Sequence, residues 1–395
     1  MLGSPYCFLG LLLPPKILKV QNFINILSCG SFLLTAFLVA MNPRHVNVKA
    51  NKWLSLFLLS LALMLIEDPF FQTKSYLNYP FLIGLTDVSP YLAASTMYLS
   101  IAYFVNPTRS FTKKDLWHFI LPCLIALLSV QTFFLPNAEK IRDYELQNEA
   151  SNFTNFMVFL LLPLAAYWYF SLKKLIQHQQ NVQLFASSTE SIDLAWLLRF
   201  LLGVTLMLLA WVCERFFNLP YITSVSCFIN LAGAYYLAHF ATQQGAIFSA
   251  KQADIEAIQT LIEENDDLKA PKKQRLTLEQ VTVLKPKLVD LMQVQKPYLD
   301  SELSLPKLAE MLKLTTNELS YLINEGFNDN FFGFVNNYRV EESKRILTTP
   351  QYQHLSMVGI AFEAGFNSKT AFNSAFKKMT GISPTDFQKA NVPKA

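Results

Sequence analysis

Charge is scarce in this chain. Asp, Glu, Lys and Arg make up 16% of its 395 residues, against about 25% in an average soluble protein. With 52% hydrophobic residues and a mean hydropathy of +0.26, that shortage excludes a wholly soluble protein and implies a membrane-embedded part. Cysteine is scarce too: Cys7, Cys29, Cys123, Cys213 and Cys227 are odd in number, form no CxxC and all lie in the apolar part. Such a set builds neither a disulfide framework nor a zinc site and fits lipid-facing or core packing. No kinase H-box, glycine-rich nucleotide loop, HExxH or GxSxG occurs, so no catalytic residue, cofactor or metal is expected. Residues 1–20 hold an apolar run that lacks both a basic n-region and a small-residue cleavage motif, and they stand as an uncertain leader.

The first 240 or so residues instead carry seven apolar stretches, near 21–41, 53–71, 80–105, 116–135, 153–172, 194–216 and 220–241. About 20 residues at 1.5 Å each cross a 30 Å hydrocarbon core, so each qualifies as a span. Trp53, Trp117, Tyr167, Trp168, Trp196, Trp211 and Tyr221 flank them, as amphipathic rings do at an interface. Loops after spans one, three and five carry Arg44, Lys49, Lys52, Arg109, Lys113, Lys114, Lys173 and Lys174, and those after spans two, four and six only Lys74, Lys140, Arg142 and Arg215. Eight cations against four predict an N-terminus outside and a cytosolic C-terminus, with Lys16 and Lys19 running mildly against it.

Toward the expected outer side lie Glu67, Asp68, Asp87, Glu214 and Arg215. An acid inside a span costs about 2.5–3.5 kcal/mol, so Asp87 is expected to face the bundle interior or a wet cavity, with Arg215 as its partner. Two readings stand open: a sensor pocket walled by Trp211 and these charges, or a structural ion pair near the headgroups. Pro90, within a turn of Asp87, is expected to kink the third span.

Beyond the last span, charged residues appear beside Phe248, Ile255, Ile258 and Ile262, spaced seven, three and four apart. That pattern fits a short coiled-coil seam or an amphipathic connector equally well. Thr277 and Gln280 form a capping box ahead of Leu284, Leu288 and Leu291, and Pro286 either kinks this helix or marks its start. Two helix-turn-helix patterns follow. Ser304 is expected to cap 305–312, and Thr315 to cap 316–325 with Leu319, Leu322 and Ile323 inward. After a helix over 330–347, Ser356 caps a stripe of Val358, Ile360, Ala361 and Ala364, and Gly365 ends it in the left-handed conformation that a Cβ disfavours. Ser368 caps the next helix, with Phe372, Phe376 and Met379 inward. In each motif the second helix is the one offered to a DNA groove, and 18 residues of connecting helix, about 27 Å, hold the two roughly one DNA turn apart.

Residues 298–395 hold ten cations and ten anions, so DNA affinity cannot come from bulk charge and needs local clusters. The stretches IAFEAGFNSKTAFNSAFKKMTGISPTDF and YRVEESKRIL resemble the signature and the linking helix of the AraC/XylS family of transcriptional regulators, a resemblance that covers about 298–390. It implies base-reaching roles for Asn317, Ser320 and Tyr321 in the first unit and for Lys369, Thr370, Asn373 and Ser374 in the second. Phosphate contacts are expected from Lys369, Lys377 and Lys378, and from Arg339, Lys344 and Arg345 on the linking helix. The chain departs from the pattern in its first reading helix, TTNELSYLINEG, which has no Arg or Lys and carries Glu318 and Glu325. Neither reading face has an Arg to bridge guanine O6 and N7.

The expectation is therefore an all-α protein: a seven-transmembrane-helix bundle over 1–243, a juxtamembrane signal helix and linker over 244–297, and a cytosolic double helix-turn-helix domain over 298–395. It would be a one-component regulator in the inner (cytoplasmic) membrane. Its partners would be double-stranded promoter DNA, the lipid bilayer, a second copy in a homodimer, and a small-molecule or membrane-derived signal. The alternatives are a transporter with an appended regulatory domain, a lipid-modifying enzyme using Glu67, Asp68, Asp87 or His118 as acid or base, and a mere membrane tether.

Overall fold

The computed structural model describes residues 15–41, 45–107, 109–149, 154–189, 192–217, 220–243 and 276–391. Among them the chain is α-helices and short 3-10 turns, with one isolated bridge pairing Ala186 and Ser304. It divides into two compact units, Met1–Ile176 with Ala195–Ala246, and Gln177–Leu194 with Ile247–Ala395.

The first unit contains α1 (Pro15–Met41), α2 (Val48–Leu65), α3 (Glu67–Gln72), α4 (Ser89–Val105), α5 (Ile120–Phe134), α6 (Asn137–Glu149), most of α7 (Thr154–Phe185), α8 (Ala195–Phe217) and α9 (Pro220–Gln243). Three helical stretches among the described residues, Lys16–Met41, Val48–Gln72 and Lys113–Phe134, are long and apolar enough to cross a membrane, while Ala195–Leu206 and Val225–Ala241 are shorter apolar runs. The third expected span differs. Residues 80–88 are not α-helical, Gly84 has φ +83°, and α4 begins only at Ser89 with 17 residues. Pro90 accordingly sits in the first turn of α4, where its missing N–H costs nothing, and opens the helix where a kink was expected.

α2 packs on α1 and α4 through small buried residues, among them Ala50, Ser60, Ala62, Ser100 and Ala102. Close approach lets hydroxyls bridge backbones: Ser100 Oγ donates to the Ala50 carbonyl (3.1 Å) and Ser55 Oγ to that of Ala36 (2.7 Å). Small residues and hydroxyl bridges suit helices that meet where no water competes, and Phe37, Leu127 and Phe134 point outward as a lipid-facing surface requires.

The second unit holds α10 (Leu278–Val294), α11 (Leu305–Met311), α12 (Thr316–Phe327), α13 (Phe331–Thr348), α14 (Met357–Glu363), α15 (Lys369–Thr380) and α16 (Pro384–Asn391). The capping box of Thr277 and Gln280 is present and α10 runs through Pro286 from Leu278, so Pro286 is not its start. Two cores share one helix. The first joins Val281, Leu288, Leu305, Leu319 and Leu322 to Phe331, Phe334 and Val335 of α13; the second joins Ile360, Phe372 and Phe376 to Val340, Ile346 and Leu347 of the same helix. Burial at both ends of α13 fixes the two helix-turn-helix units to one rod. The pattern of Phe248, Ile255, Ile258 and Ile262 beyond the last apolar stretch lies outside the described residues.

Candidate nucleic-acid interface

Local chemistry sets both reading helices. The Ala371 N–H donates to Ser368 Oγ (3.0 Å) and the Gly359 N–H to Ser356 Oγ (3.1 Å), so both caps of the second unit form. In its turn Gly365 has φ +87°, and a Cβ there would strike the Tyr298 carbonyl oxygen and lie 2.8 Å from Leu299 Cα. In the first helix-turn-helix the Glu318 N–H donates to Thr315 Oγ1 (3.2 Å), and the Glu318 carboxylate accepts from the Thr315 N–H and hydroxyl (2.8 Å each). The acid that seemed set to repel DNA thus turns back to close its own helix. Ser304, by contrast, makes no side-chain cap; its backbone pairs with Ala186.

Helical periodicity brings the expected residues of α15 together. Lys369, Thr370, Asn373, Ser374, Lys377 and Lys378 are all exposed, on successive turns of one face, with Phe372, Ala375 and Phe376 buried behind. Met379 is 36% exposed, at the rim and not inward, and Val358 of α14 likewise points out at 38%. α12 offers less. Asn317 and Tyr321 are half-buried, but Ser320 is 6% exposed, so it faces the core and cannot reach a base. The stripe from Asn317 and Tyr321 continues to Asn324 and Glu325, both exposed, and the three-to-four residue step from Tyr321 was the signal that pointed to Asn324.

The linking-helix cations are corrected more sharply. Arg339 is 0% exposed: Nε donates to the Tyr298 carbonyl (2.8 Å), Nη1 to that of Ser187 (3.0 Å), and Nη2 to Ser187 Oγ (2.9 Å) and the Asp300 carbonyl (2.8 Å). Its guanidinium stands over the Phe366 ring at 5.8 Å. Burial pulls its pKa down to about 10, still charged at neutral pH, yet it has no surface to give a phosphate. Lys344 pairs with Glu341 (2.6 Å) and Arg345 with Glu342 (2.8 Å), so these two are partly exposed but neutralised on their own helix. Hydrogen bonding by Arg345 holds the Glu342 carboxyl below its usual range, which keeps that pair ionised.

Residues 308–390 match the family described as a helix-turn-helix domain. The C-terminal part is an AraC-type helix-turn-helix domain. A domain of this type suggests DNA-binding transcription regulation. The chain is similar to the C-terminal domain of the two-component response regulator yesN from Fusobacterium nucleatum subsp. nucleatum ATCC 25586, at 27% identity over 27% of this chain and 98% of that one, with a TM-score of 0.24. It is also similar to the C-terminal domain of AraT, a response regulator from Geobacillus stearothermophilus, at 24% identity over 29% of this chain and 87% of that one, again with a TM-score of 0.24. No curated protein matches the chain.

In the first unit a cavity of about 230 Å³ is lined by Glu67, Asp87, Lys140, Asp143 and Tyr144 among apolar residues such as Phe70 and Ile83. It joins two of the expected sensor residues, Glu67 and Asp87; Asp68 does not line it. The side chains of Trp211, Glu214 and Arg215 lie outside the described residues, and Asp87 accepts from Ser129 Oγ at 3.1 Å. α6, whose polar sequence suggested only a loop, supplies the cation: Lys140 is 6% exposed and donates to the Phe133 carbonyl (2.9 Å).

Proposed function

We propose that this chain is a membrane-bound, one-component transcriptional regulator that binds promoter DNA sequence-specifically through two helix-turn-helix units and receives its signal through the apolar half. The observation that carries the reading is the exposed face of α15, three lysines interleaved with Thr370, Asn373 and Ser374, in a chain whose described residues include three helical stretches of membrane-crossing length. Thr370, Asn373 and Ser374 offer hydrogen bonds to base edges, and Lys369, Lys377 and Lys378 charge to phosphates. Arg339 and Ser320 leave the set of contacting residues; Asn324 joins Asn317 and Tyr321. The first helix-turn-helix mainly positions the second one, since its reading face has no cation. With about three cations per chain, two chains on one site supply what one lacks.

The proposed topology is multi-pass, with seven spans, the N-terminus outside and the DNA-binding unit cytosolic. It is supported by which loops meet within the first unit: Lys49 Nζ donates to the Arg109 carbonyl (3.1 Å), joining the loops expected inside, and Tyr76 donates to Glu145 (2.9 Å), joining those expected outside. The cavity at Glu67 and Asp87 lies among the latter, open to an external signal. An AraC-type domain favours a regulator over an enzyme.

Crosslinking and immunoprecipitation of the membrane-retained protein across the genome, beside a Lys369→Ala/Asn373→Ala variant, tests the reading. Discrete promoter peaks absent from the variant support it; no peaks from correctly inserted protein overturn it.

A further inference from the structure

The second unit contains a stretch of chain far from it in sequence. We propose that the DNA-binding domain carries a docking groove whose occupant is this chain's own segment 177–194, the C-terminal end of α7 and the loop behind it, clasped by Arg339. The inference goes beyond the promoter reading and stands without it.

Three kinds of contact converge. Val182, Phe185 and Ala186 are buried at 0%, 4% and 8% in the same core as Leu276, Val281, Leu288, Leu303 and Leu305. Behind them the chain turns extended: Ala186 bridges Ser304, the Ser187 N–H and hydroxyl both donate to the Leu303 carbonyl (3.3 and 2.6 Å), and Ser188 Oγ donates to that of Ser301 (2.9 Å). Arg339 then takes both oxygens of Ser187. His178 hydrogen-bonds the Ile192 carbonyl at 2.8 Å and closes the loop on itself. The sequence FASS suits this site, an apolar anchor followed by small residues whose hydroxyls satisfy backbone groups at a crowded edge.

The groove's position gives it a use. Arg339 stands where the two cores of α13 meet, bonded to Tyr298 and Asp300 at the entrance of the first helix-turn-helix and stacked on Phe366 in the turn of the second one. α7 runs from Thr154 to Phe185 with Pro163 inside it, and Ser187, just beyond its end, is bonded by the arginine that fixes the two reading helices to each other.

The test is disulfide trapping in the full-length protein in native membrane vesicles. Oxidation of the Ser188→Cys/Ser301→Cys double variant is expected to give a faster-migrating, reductant-sensitive monomer that neither single variant gives. Val182→Asp in that background should slow its formation at least about tenfold, because a carboxylate cannot enter the core, whereas Gln183→Asp, on the exposed side, should not. If Val182→Asp protein fails to accumulate, Ser187→Pro removes the N–H bonded to Leu303 and should slow it equally. No intramolecular disulfide, a disulfide joining two chains, or rates indifferent to these substitutions overturn the proposal. Lys369→Ala/Asn373→Ala should leave trapping unchanged, which separates failure here from failure of the promoter reading.

Discussion

Arginines and lysines that look alike in the sequence do opposite things here. Lys377 and Lys378 stand in solvent on α15, while Arg339 is spent on four backbone and hydroxyl oxygens inside the second unit. Lys377→Ala and Lys378→Ala should therefore weaken DNA binding for all sequences alike and flatten the salt dependence by about one unit of log–log slope for each phosphate no longer neutralised, read by fluorescence anisotropy across a salt series. Arg339→Ala should cost on the order of 3 kcal/mol of stability, because it strands buried acceptors that were paired with a charged donor. It would show as early melting of the purified protein, and a variant of normal stability with a flattened salt slope would contradict the burial. That the α15 residues share one exposed face was legible from the helical period. Arg339 was not, because an amphipathic count on a helix buried at both ends cannot tell a phosphate contact from an internal clasp, and its partner Ser187 lies 152 positions away.

At the scale of elements, caps and turns carry the second unit. Ser356, Ser368, Thr315 and Thr277 all cap as their short-range chemistry dictates. Gly365 does more than end α14: its bare Cα lets the turn close against Tyr298 and Leu299, which lead into the first helix-turn-helix. Gly365→Ala should thus destabilise by more than the roughly 1–2 kcal/mol of a left-handed residue alone, since a backbone carbonyl must also move. Differential scanning fluorimetry should place its transition well below that of Ser368→Ala, which loses only a cap worth about 1 kcal/mol. Equal transitions would mean that the turn has room to relax. Local signals also misjudged two elements. Ser304 looked like a cap but is a bridge partner, and the expected third span loses its first turns to Pro80, Gly84 and the proline that opens α4.

For the whole molecule, the pairing of loops in the first unit, Lys49 with Arg109 and Tyr76 with Glu145, makes the proposed topology measurable. In intact cells an impermeant maleimide should label Lys74→Cys and Arg142→Cys, both exposed positions, but reach the exposed Lys113→Cys only after permeabilisation. Labelling of all three, or of Lys113→Cys alone, would invert or abolish the proposed orientation. In the proposed topology the loop that holds Lys113 and the C-terminal end of α7 share the cytosolic side.

Composition and period by themselves determined that this chain has an apolar helical half, that a double helix-turn-helix follows, and which face of α15 is polar, because hydropathy, capping and 3.6-residue spacing act between near neighbours. Only the tertiary structure decided that 177–194 belongs with the DNA-binding unit, that Arg339 is a clasp, and that Lys140 meets Glu67 and Asp87 around one cavity. Each depends on pairing backbone and charged groups across long chain separations, where burial makes an unmet hydrogen bond costly and so selects the partner.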